Sequence, residues 1–157
     1  MRSIYKLVVC SLLTLSITSC EKDLLEKEQY QKEIYLIGAY NRVWTTEVSY
    51  SNEEVKTYFT VSSSGTLALD RDVNVKMKIN EELVDIYNRK YWTVLNEDKY
   101  YKSLDTDLYS IPSLENTVIK HAEGISAEVP VLIKTASLKI DQSYVIPVEI
   151  ESTTGYP

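Results

Sequence analysis

Residues 73–79, VNVKMKI, constrain the fold more than any other stretch. Val73, Val75, Met77 and Ile79 fall on one side, while Asn74, Lys76 and Lys78 fall on the other. A period of two with this contrast predicts a strand with one face on a core and one in water. A helix of the same composition would smear its apolar residues around the axis. Other runs fit the same scheme. Residues 34–37 (IYLI), 55–61 (VKTYFTV), 116–120 (NTVIK), 127–135 (AEVPVLIKT) and 144–151 (YVIPVEIE) are short and rich in β-branched or aromatic residues. Pro130 and Pro147 cannot donate to a ladder, so each predicts an edge strand or a bulge. Ser62, Ser63, Ser64 and Gly65 signal a turn.

One helix interrupts the strands. Asn80 suits its cap, and Glu81 and Glu82 suit the positive end of its dipole. Leu83, Ile86 and Tyr87 at i, i+3 and i+4 mark the expected buried face, with the end near residues 88–90. Residues 93–113 read as loop with short extended pieces. The expectation is mainly β: an Ig-like antiparallel β-sandwich with one short helix, spanning residues 33–157.

The sequence also carries an address. Arg2 and Lys6 form a positive leader, residues 7–17 (LVVCSLLTLSI) an apolar stretch, and residues 17–20 (ITSC) a lipobox. Only residues 7–19 lie between Lys6 and Cys20, fewer than the roughly 20 that a membrane-spanning helix needs. Residues 1–19 therefore read as a cleaved lipoprotein signal peptide, with Cys20 as the lipidated residue. The lipid on Cys20 makes a membrane the first expected partner. Cys10 leaves with the signal, so the mature domain folds without a disulfide. Residues 20–32 are mostly charged and read as a tether. Removing Arg2 and Lys6 leaves 15 basic residues against 23 acidic. That balance argues against nucleic acid, which rewards clustered lysine and arginine.

No catalytic constellation stands out. His121 is the single histidine, too few for a histidine-based zinc site, and reads as a surface turn residue. No GxSxG, P-loop or GxGxxG motif occurs, and no cofactor or metal is implied. Glu53, Glu54, Asp70, Asp72, Glu97, Asp98, Asp105 and Asp107 read as solvated loop charge. Asp70 with Asp72, or Asp105 with Asp107, offers a calcium alternative outside any EF-hand pattern. The odd feature is aromatic: 13 tyrosines and two tryptophans against one phenylalanine. An amphipathic ring can stack on the apolar face of a sugar. Tyr91, Trp92, Tyr100 and Tyr101 are the candidate glycan-binding residues; the competing reading is strand and core packing.

Five segments in order resemble one family: residues 23–39 (DLLEKEQYQKEIYLIGA), 73–88 (VNVKMKINEELVDIYN), 109–113 (YSIPS), 129–134 (VPVLIK) and 143–150 (SYVIPVEI). Together they resemble the Ig-like N-terminal domain of unknown function of Bacteroides-type surface lipoproteins, found ahead of family 18 endo-β-N-acetylglucosaminidase or lectin-like domains. The resemblance implies a non-catalytic spacer or accessory module in glycan capture, on the cell-surface side of the outer membrane. It carries over no catalytic residue. Acidic residues just after Cys20 resemble the surface-display signal of such lipoproteins, though Lys22 interrupts them. Family members run on into one more strand, whereas this sequence stops at Gly155, Tyr156 and Pro157. The expectation is an open sheet edge, from which two alternatives follow. One is a structural adhesin or fimbria-like subunit that takes a strand from a partner surface protein. The other is a truncated front piece of a glycosidase lipoprotein.

Overall fold

The computed structural model describes residues 26–39, 43–139 and 142–157. The expected signal peptide of residues 1–19, Cys20 and the start of the expected tether lie outside the described residues. Among the described residues, nine strands and one α-helix follow in order: β1 Ile34–Leu36, β2 Glu54–Ser63, β3 Val73–Ile79, α1 Glu82–Tyr91, β4 Lys102–Ser103, β5 Tyr109–Ser110, β6 Thr117–Ile119, β7 Ser126–Lys134, β8 Tyr144–Val145 and β9 Val148–Thr153. Short 3-10 turns occupy Val94–Lys99, Thr106–Leu108 and Thr135–Ser137.

Two antiparallel sheets face each other, ordered β1-β2-β7-β5 and β6-β3-β9, and a small parallel pair joins β4 to β8. The mainly β expectation is met. The alternation in β3 becomes physical here: Val73, Val75 and Met77 are buried, and Asn74, Lys76 and Lys78 are exposed. Across from them, Val61 of β2 and Val129 of β7 are fully buried from the other sheet. Ile34, Leu69 and Ile119 complete this core. A second apolar cluster of Leu104, Val131 and Ile133 lies further along β7. Burial of such side chains, worth roughly 1.5–3 kcal/mol each, is the main force that holds the two sheets together.

Three local expectations are corrected. First, β7 is not an edge strand: it pairs with β2 from Glu54↔Lys134 to Ser62↔Ser126 and with β5 on its other side. The β5 ladder reaches only Leu132 and Ile133, so Pro130, opposite Tyr58, stands beyond it. A missing N–H is tolerated where the flank is locally unpaired. Second, the expected strand over 144–151 is two strands, β8 and β9, broken around Ile146 and Pro147. Third, α1 buries Val84 and Asn88 rather than Ile86, which is 54% exposed. Asn88 sets that rotation. Its Nδ2 donates to the Tyr101 carbonyl and its Oδ1 accepts from the Tyr101 N–H, both at 2.9 Å. Asn80 does serve the helix start, as its Oδ1 accepts from the Glu82 N–H at 3.2 Å.

The described part of the tether is docked. Glu28 pairs with Lys32, and its carboxylate accepts from the backbone N–H groups of Thr66 and Leu67. Lys32 is buried and donates to the Leu67 carbonyl. The Lys32 ammonium, then the Thr66 N–H, hold the Glu28 carboxyl down at about 2. At the same end, the Ile34 N–H donates to the Pro157 carbonyl at 2.9 Å, and the Tyr156 hydroxyl donates to Asp70. The helix, β4 and β8 gather at the opposite end, where the Leu104 N–H donates to the Val145 carbonyl and the Asn80 N–H to that of Pro147. No helix among the described residues is long and apolar enough to cross a membrane.

Candidate functional site

Two aromatic groupings stand on this frame. The first contains the rings expected from sequence. Tyr87 and Tyr91 lie one helical turn apart on α1, with ring centroids 4.5 Å apart. Tyr101 approaches Tyr87 edge-on at 5.5 Å, held there by the two Asn88 hydrogen bonds. Burial against these rings raises the pKa of the Tyr87 hydroxyl. Lys90 places its ammonium 5.6 Å from the Tyr91 ring centre, and Lys99 lies 5.5 Å from that of Trp92. The Trp92 Nε1 is buried with no acceptor among the described residues. Tyr91 and Tyr101 therefore meet through Tyr87, while Trp92 and Tyr100 are not drawn into those ring contacts. Tyr91 keeps 48% of its surface exposed, but its own neighbours already contact its ring.

The second grouping was not among the sequence candidates. Ile37, Trp44, Tyr58, Phe59 and Thr60 line a shallow, open cleft of about 70 Å³ on the four-stranded sheet. Alternation along β2 turns Tyr58 outward while Val61 enters the core. The Ile37 N–H donates to the Thr60 carbonyl at 2.9 Å, prolonging the β1–β2 ladder past Leu36. The chain then turns at Gly38 with φ +85°. A Cβ there would lie 2.6 Å from Cε3 of Trp44, so glycine is what lets the indole rest against the backbone. Trp44 remains 60% exposed and Tyr58 43%. Lys56 sits 5.0 Å from the Tyr58 ring centre. The signal available in the sequence was the outward parity of Tyr58 in β2; nothing local tied Trp44 to it.

Four of the remaining sequence candidates, His121, Asp70, Asp72 and Asp107, make defined contacts. His121 Nδ1 lies 2.6 Å from Asp72 Oδ1, and the His121 N–H donates to the same oxygen at 3.0 Å. These contacts hold the Asp72 carboxyl below its usual range. Asp70 makes a two-pronged pair with Arg71 at 2.9 Å. The Asp107 carbonyl accepts from Lys134 Nζ at 2.9 Å. Among the described residues no group of three or more metal-ligating side chains converges.

Comparison with known proteins adds the family. A protein of unknown function from Bacteroides ovatus superposes with a TM-score of 0.61 at 12% identity, over 82% of this chain and 42% of its own. A multidomain protein including DUF1735, also from Bacteroides ovatus, gives 0.55 at 16% identity, over 65% of this chain and 33% of its own. This chain thus spans less than half the length of either, and at such identities the likeness is one of fold. No curated protein matches in sequence. A family model described as an N-terminal domain matches residues 30–157. The chain belongs to that family of N-terminal domains, the one its ordered strand motifs resemble.

Proposed function

We propose that this chain is a non-catalytic accessory module that holds glycan near a cell surface, anchored in the outer membrane through lipid on Cys20. The observation that carries the reading is the exposure of Trp44, Tyr58 and Tyr91, rings of large apolar area with a polar edge. None of the three lies in the docked segment where the tether meets the turn at residues 64–67. An anchor at that end leaves these rings turned to the medium. The greater length of the structural neighbours, one of them multidomain by its own description, fits an accessory part.

Affinity electrophoresis of the detergent-solubilised lipoprotein through gels cast with a panel of neutral and acidic polysaccharides tests the glycan reading. Retarded migration in at least one gel is expected. Unretarded migration in every gel rules glycan capture out. Release from the membrane fraction on Cys20→Ser tests the anchor separately.

A second reading, assembly by strand exchange, is favoured by β9. It forms the edge of its sheet, with β3 as its ladder partner. An unpaired edge is a template for another strand. Concentration-dependent oligomers that a competing strand peptide disperses would carry this reading instead.

A further inference from the structure

We infer that residues 28–33 are a clamp that seats one end of the sandwich against the lipid layer holding Cys20, with the turns at 64–72 and 120–125 as its lipid-facing rim. This rests on the anchor proposed above and gives it an orientation and a set of residues. Three observations support it.

The first is the join itself. The alternation of β1 carries on backwards: Lys32 is buried two residues before Ile34, and Glu33 between them is exposed. The Glu33 N–H donates to Ser64 Oγ and the Ser64 N–H to the Glu33 carbonyl, both at 2.9 Å. Ser64 Oγ in turn donates to the Gln31 carbonyl at 3.3 Å. The Glu28 carboxylate reaches across to the Thr66 and Leu67 N–H groups, and the Lys32 ammonium to the Leu67 carbonyl. Gly65 makes room for this crossing. Its φ is +113°, and a Cβ there would lie 2.8 Å from Lys32 Nζ and 2.9 Å from its Cγ. A segment held in this way moves with the domain and not with the leash.

The second is reach. Clamped from Glu28 onward, the domain hangs from Cys20 by residues 21–27, which span under about 30 Å at full extension. A leash free as far as Ile34 would span about 50 Å. The third is the surface of this end. The Ser63 N–H donates to the Ile125 carbonyl at 2.8 Å, which puts the 120–125 turn beside the clamp. Tyr30, Leu67 and Ile125 are exposed here. The ions around them are matched within the same end: Arg71 with Asp70, Lys120 with Glu123 and His121 with Asp72. A ring and aliphatic chains among matched charges suit the boundary between headgroups and acyl chains, where tyrosine offers an apolar body and a polar tip. Leu95 is more exposed still, but it follows α1 at the opposite end, and the same clamp directs it away from the lipid.

The test uses the lipoprotein purified with its lipid and reconstituted into vesicles of phosphatidylethanolamine and phosphatidylglycerol, with a nitroxide on a fraction of the headgroups. Ile125→Cys and Leu95→Cys each carry a bimane label. The nitroxide is expected to quench the label at 125 roughly threefold more than the label at 95. Equal quenching at the two positions, or more at 95, overturns the assignment. Glu28→Ala with Lys32→Met opens the clamp while keeping the apolar stem at 32, and should at least halve that contrast; an unchanged contrast overturns the clamp. Should the double variant misfold, hydrogen exchange on the parent in vesicles decides. Slow exchange at the Glu33, Ser64 and Thr66 amides is expected, and exchange at the rate of an unstructured peptide overturns the proposal. A parent that does not float with the vesicles refutes the anchor and this inference together. A parent that floats and is quenched equally at both positions refutes this inference and spares the anchor.

Discussion

Asn88 shows how one side chain can do a strand's work. It mimics a peptide unit, exchanging a donor and an acceptor with Tyr101 at 2.9 Å while only 5% exposed. Asn88→Ala strands a backbone N–H and a carbonyl in a half-buried place. The expected loss is about 2 kcal/mol in urea unfolding, with the Tyr87–Tyr101 contact loosened as well. Gly38→Ala meets two obstacles, a left-handed backbone costing about 1–2 kcal/mol and the Trp44 ring. A lower melting temperature together with a changed indole emission is expected; an unchanged emission would show that the ring does not rest there. Glu28 yields a pH prediction. Its carboxyl is held at about 2 when folded, against 4.5 ordinarily. A depressed pKa contributes stability above the ordinary value, and that contribution is lost as pH falls from about 4.5 through about 2. Protection of the Thr66 and Leu67 amides against hydrogen exchange should drop over that window. None of these three roles was legible in the sequence, because each depends on a partner distant along the chain or on a backbone angle that residue type alone does not fix.

At the scale of elements, legibility followed the range of the interaction. The β3 strand was readable to its ends because alternation is a local record of two environments. Met77 sits in that record at 1% exposure between the sheets. Met77→Ala should cost roughly 2–5 kcal/mol in chemical denaturation, and a loss below 1 kcal/mol would mean that the two sheets close the gap. The α1 helix was readable as an element but not as a face, since a polar residue, Asn88, outcompeted Ile86 for the interior. The place of β7 was misread for a related reason. Pro130 reports a missing donor at one residue, and a strand can be central for most of its length while unpaired on one side at that point. The shallow aromatic cleft was invisible because Trp44 belongs to an irregular segment, seated on the turn at Gly38.

At the scale of the molecule, the longest ladder joins distant partners. β2 and β7 pair from Ser62↔Ser126 to Glu54↔Lys134, more than sixty residues apart in the chain. Such pairing places refolding from denaturant in the millisecond-to-second range. Completion within microseconds in stopped-flow fluorescence would contradict a pathway governed by that ladder. The sandwich architecture itself was legible, since short two-faced strands without a disulfide have few other ways to bury one side.

The β2–β7 ladder has a consequence for the life of the chain before it is a protein. Synthesis delivers β2 long before β7, and until residue 134 has been made the central pairing has no second half. If residues 1–19 serve as the export leader proposed for them, the nascent chain meets the export machinery while still unable to close. The delay built into the topology would keep it threadable, and folding would wait for the far side.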